Sequence, residues 1–135
     1  MPHCVILYTP NLERKTDLAL LCRNVADAML AVRDENGKQV FPTAGTRVLA
    51  YPAAHYAVAD GSADCAFVYV NVRMALGRTE AVKKQAGDCL LGVVKSHFAA
   101  IFDREPLGIT LQIDESTGQV YDGKHSNLHP LFNKS

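Results

Sequence analysis

Residues 65–74 read CAFVYVNVRM, and the fold turns on how that run alternates. Ala66, Val68, Val70, Val72 and Met74 fall on one side, and Phe67, Tyr69, Asn71 and Arg73 on the other. Successive side chains of a strand point to opposite faces, so this is a strand with one face in the core. Leu76-Gly77-Arg78-Thr79 turns the chain, and Thr79 suits the N-cap of a helix because its hydroxyl accepts from a free amide. Val82, Ala86, Cys89, Leu90, Val93, Val94, His97, Phe98 and Ile101 then recur at helical spacing, and Pro106 closes the segment. Beyond it Leu107, Ile109, Leu111 and Ile113 alternate with Gly108, Thr110, Gln112 and Asp114, which predicts another strand.

The same order of elements precedes that run. Residues 3–9, HCVILYT, are rich in strand formers and end at the turn Thr9-Pro10-Asn11. From Asp17, the residues Leu18, Leu21, Cys22, Val25, Met29 and Val32 make an amphipathic helix, which Glu35-Asn36-Gly37 stops. A loop holding Phe41-Pro42-Thr43-Ala44-Gly45 leads to a strand over 46–51, and Asp60-Gly61-Ser62 breaks the chain again. The chain is thus read as one domain, 1–135, of two β-α-β halves, 2–60 and 64–117, with residue 3 answering to residue 65, and a C-terminal arm over 118–135. The fold class is α+β in two layers: a four-stranded sheet with two helices on one face. Phe67 and Tyr69 on the other face call for a cover, expected to be a second copy of the chain, with Asn71 and Arg73 at that interface. The arm, ending in Leu128, Leu131 and Phe132, is expected to lie on a neighbouring subunit.

Composition narrows the function classes. Fourteen Lys and Arg balance fourteen Asp and Glu, so no global field gathers nucleic acid or an anionic membrane. No apolar run nears the ~18 residues that span a bilayer, and there is no basic, cleavable leader, so the expected location is the cytoplasm. Cys4, Cys22, Cys65 and Cys89 lie inside predicted elements without a C-x-x-C pair, and read as buried reduced thiols. A zinc site using them with His125 and His129, spaced to share a helix face, is the lesser reading. His97, at a core position of its helix, reads as structural.

Proline stands directly behind the start methionine. It can simply protect a strand edge, since it lacks a donor. It can also become the terminus, because initiator methionine is normally trimmed before a small residue. A terminal α-amino group has a reference pKa of about 7.7–8.0, and a neighbouring cation lowers it, so such a nitrogen can serve as a neutral base. Arg47 and Arg78 are likewise either surface cations or the partners of an anion. MPH at 1–3, FPTAGTR at 41–47, ADG at 59–61, AFV at 66–68, GRTE at 77–80, QAG at 85–87, KSHFAA at 95–100 and HPLF at 129–132 carry a resemblance over nearly the whole chain. Their order and spacing resemble the 5-carboxymethyl-2-hydroxymuconate isomerase family of the tautomerase superfamily. The resemblance implies a homotrimer and a catalytic Pro2 working without cofactor or metal. It also implies that Arg47 and Arg78 bind a small-molecule polycarboxylate, a dienoic tricarboxylate from aromatic-acid breakdown, and stabilise its charge, with His3 assisting binding. Where the family tends to place a further basic residue after the first arginine, this chain has Val48-Leu49.

Overall fold

In the computed structural model, which describes residues 3–132, two β-α-β units share one sheet. The first comprises β1 (His3–Tyr8), α1 (Leu18–Ala31) and β2 (Arg47–Pro52). The second comprises β3 (Ala66–Ala75), α2 (Glu80–Phe102) and β4 (Leu107–Ser116), and α3 (Leu128–Phe132) follows. The sheet order is β2-β1-β3-β4. Each unit pairs its own strands in parallel, and the two units join antiparallel through β1 and β3. The expected α+β duplication is therefore present. The joint is the part that local pattern did not specify.

Both helices start on the caps their sequences offer. The Asp17 side chain accepts from the Leu20 amide at 3.0 Å, and the Thr79 hydroxyl accepts from the Val82 amide at 3.2 Å. Their buried stripes, with Leu21, Val25 and Met29 on α1 and Leu90, Val94 and Phe98 on α2, meet Cys4, Ile6, Val68, Val70 and Val72 of the central strands. Each such fully buried side chain contributes about 1.5–3 kcal/mol. Ladder and packing together hold the central strands, so the ends of β1 and β3 are stiff mounts for a site.

The thiols depart from expectation. All four are free, but only Cys4 is buried; Cys22 and Cys65 are half-buried and Cys89 is exposed. Cys89 stands one residue, about 100° of helical turn, from buried Leu90. The apolar stripe was read one residue too wide, since Val93 and His97 are also only half-buried. Burial still raises the Cys4 thiol to about 12, with the nearby Cys22 adding to it. His125 precedes α3, so it does not share a helix with His129. Among the described residues no three His, Cys, Asp or Glu side chains gather as a metal would require, and no helix is long and apolar enough to cross a membrane.

On the open face of the sheet Leu7, Leu49, Tyr51 and Phe67 are exposed. Polar neighbours there tie β3 to β4: the Tyr69 hydroxyl donates to Gln112 at 2.9 Å and the Asn71 amide donates to Asp114 at 2.8 Å.

Candidate active site

The sheet brings several cations to the end where β1 and β2 begin and β3 finishes. His3 pairs in register with Arg47 on one side and with Arg73 on the other. Register partners share a face, so a basic row crosses the start of β1. Pro2 lies outside the described residues; in the chain it directly precedes His3.

Arg47 opens β2 because the loop before it is fixed. Phe41 and Ala44 are buried, the Thr46 hydroxyl donates to the Pro42 carbonyl at 2.8 Å, and the Gly45 amide donates to the same oxygen at 3.1 Å. The FPTAG stretch is thus an anchor that sets where the arginine leaves the loop. Arg47 borders two cavities. One, of about 510 Å3, runs along the β2 edge against α1 and is bordered by Leu128 and Phe132 as well. The other, of about 610 Å3, is lined by Arg47 with His125, Ser126, Asn127 and Leu128.

Arg78 is positioned differently. Gly77, at φ +107°, turns the chain after β3 through a conformation that side-chain-bearing residues rarely adopt. The next residue then reaches back over 44 positions to Asp34, with Nη1 at 3.4 Å from Oδ2, while Nη2 donates to the Val40 carbonyl at 3.3 Å. Asp34 is itself clamped in a turn, where its Oδ1 accepts from the amides of Asn36 at 2.8 Å and Lys38 at 2.9 Å. The Lys38 amide, foremost, holds the Asp34 carboxyl below its ordinary pKa; the Asn36 amide and the charges of Arg78 and Lys38 add to this, and burial opposes it. An ionised Asp34 thus orients the Arg78 guanidinium and leaves further N–H donors for a ligand.

The three described residues singled out from sequence therefore occupy one end of the sheet, but not in one cluster. His3 and Arg47 are strand neighbours, whereas Arg78 sits on its own tether and lines neither cavity that Arg47 borders. Sequence reading missed Asp34 and the wall over 125–128. The Asp34-Glu35-Asn36-Gly37 string carried the signal for the first, since an Asp that hydrogen-bonds amides just downstream is a recurrent turn. The helix-stop reading takes only Glu35-Asn36-Gly37 from that string.

Comparisons with known proteins agree on one family. A curated protein of Escherichia coli named 5-carboxymethyl-2-hydroxymuconate Delta-isomerase is 30% identical over 132 residues, spanning 98% of this chain and 99% of its own length. A crystal structure of a 5-carboxymethyl-2-hydroxymuconate delta-isomerase shares 50% identity and superposes with a TM-score of 0.94, over 100% of this chain and 95% of that one. The isomerase structure from Deinococcus radiodurans R1 shares 34% identity with a TM-score of 0.85, over 98% of this chain and 95% of that one. The family profile described as 5-carboxymethyl-2-hydroxymuconate isomerase matches residues 2–132, and the chain belongs to that family of isomerases.

Proposed function

We propose that this chain is a cofactor-independent keto–enol isomerase converting 5-carboxymethyl-2-hydroxymuconate to its 2-oxo-ene isomer in homoprotocatechuate (4-hydroxyphenylacetate) breakdown. Pro2, exposed as a secondary amine by loss of Met1, is the base. Its neutral nitrogen takes the proton of the 2-hydroxyl; the oxygen lone pair forms C2=O, the C2=C3 pair moves to C3=C4, and the C4=C5 pair takes the proton at C5. No atom is gained or lost, and the amine returns to its starting state.

The observation carrying this reading is the register that sets His3, the residue after Pro2, beside Arg47. A permanent cation near the amine favours its neutral form at pH 7. Arg47 and Arg78 each present a fork to a carboxylate and stabilise negative charge on the substrate oxygens as enolisation proceeds. His3 contacts the substrate from the strand between. The working particle is a homotrimer built on the open sheet faces, for which the exposed Leu7, Leu49, Tyr51 and Phe67 argue.

Ultraviolet spectroscopy follows loss of the conjugated dienol, and intact mass reports whether Met1 is gone. Trimmed wild type is expected to exceed Pro2→Ala by about 10²–10⁴ in kcat, the range for a positioned base. Equal rates would overturn the assignment.

A further inference from the structure

The C-terminal segment carrying Leu128 and Phe132 lies beside Arg47. Leu128 and Phe132, four residues apart on α3, border the same groove against Ala19, Cys22 and Ala26 of α1. That spacing puts both on one side of the helix. Residues 125–127, just before it, line a cavity of about 610 Å3 together with Arg47. Such a volume falls in the range of about 300–1,000 Å3 usual for small-molecule sites.

Arg47 is the permanent charge in the lining. Arg47, His125, Ser126 and Asn127 can all donate hydrogen bonds, and no acid lines the cavity. The Ser126 oxygen already accepts from the Leu128 amide at 3.1 Å, which leaves its hydrogen to donate. Arg78 has its carboxylate partner in Asp34 at 3.4 Å, whereas no ion pair among the described residues holds Arg47. A donor-lined recess around a permanent cation selects an anion, and the planar guanidinium fork selects a carboxylate. Val48 and Leu49 supply no cation there.

We propose that His125 and Asn127 are carboxylate-binding residues which, with Arg47, grip one carboxylate of the polycarboxylate substrate. This rests on Arg47 being a substrate anchor. The test uses the full chain with Arg47→Ala, His125→Ala, Asn127→Ala and the near-isosteric Asn127→Asp. Kinetics on 5-carboxymethyl-2-hydroxymuconate are paired with calorimetric binding of tricarballylate, a tricarboxylate that cannot isomerise and so reports the pocket independently of Pro2. His125→Ala and Asn127→Ala are each expected to raise KM and the tricarballylate Kd by roughly tenfold, as loss of a hydrogen bond to a charged group does, with kcat within about twofold. Asn127→Asp should weaken binding further. In the Arg47→Ala background the same changes should shrink to about twofold, because the shared carboxylate is already released. If Arg47→Ala weakens tricarballylate while His125 and Asn127 variants match wild type, this inference alone falls. Fully additive effects would refute the shared carboxylate, and an Arg47→Ala protein that binds as wild type would remove the anchor reading itself.

Discussion

Single side chains show how a position acquires its role. His97, read from its spacing as structural, is half-buried between α2 and the start of α1, with its Nε2 hydrogen-bonded at 2.7 Å to the Thr16 hydroxyl. Burial lowers its pKa from the ordinary 6.5, and the charge of Asp17 partly restores it. Asp27 of α1 borders the same recess. With the folded value below the unfolded one, the unfolded chain binds the extra proton first. The contribution of neutral His97 is present above the unfolded value and is lost as pH falls through the folded one. The urea midpoint is therefore expected to drop between about pH 7 and about pH 5, a window above carboxylate titration. The drop should be smaller in His97→Gln; an unchanged drop would take the effect away from this residue.

At the level of the element, α2 separates what periodicity reports from what it does not. Its 23 residues repeat the apolar spacing closely enough to define the helix, but the stripe that meets the sheet is narrower than the set of apolar letters. Leu90 is fully buried and its neighbour Cys89 is exposed. Leu90→Ala is accordingly expected to cost about 2–5 kcal/mol by leaving a cavity, and Cys89→Ser less than about 0.5 kcal/mol. Chemical denaturation measures both, and comparable losses would mean that α2 is rotated about its axis from the orientation described. The N-terminal end of the same helix has a second role. Gly77 and the Thr79 cap fix the turn from which Arg78 extends, so a helix start and an arginine proposed to bind substrate share one piece of backbone.

For the whole molecule, the asymmetry of the sheet is the governing fact. One face is covered by α1 and α2, while the other leaves Leu7, Leu49, Tyr51 and Phe67 to water. Contiguous exposed apolar residues of this kind mark an association surface. If the proposed trimer forms there, Phe67→Glu places a charge on the face it would bury, where an unpaired carboxylate is costly. Sedimentation at micromolar protein is expected to show monomers with the helical circular dichroism of wild type. A variant that still sediments as a trimer would move the interface to another surface.

The alternating runs at 65–74 and 107–114 and the helical spacing from Leu18 and from Val82 determined the elements, because periods of about two and 3.6 residues record locally which side of the backbone leaves water. The distinct order and spacing of short motifs likewise made the family legible. Tertiary structure decided the rest. Nothing in either half states that β1 and β3 are the antiparallel joint, so the adjacency of His3 with both Arg47 and Arg73 was invisible along the chain. Nor does local pattern bring Asp34 to Arg78 or α3 to the β2 edge. Contacts between distant residues depend on which apolar faces pack together and on the loop closures that packing can offset, a balance settled only when the whole core forms.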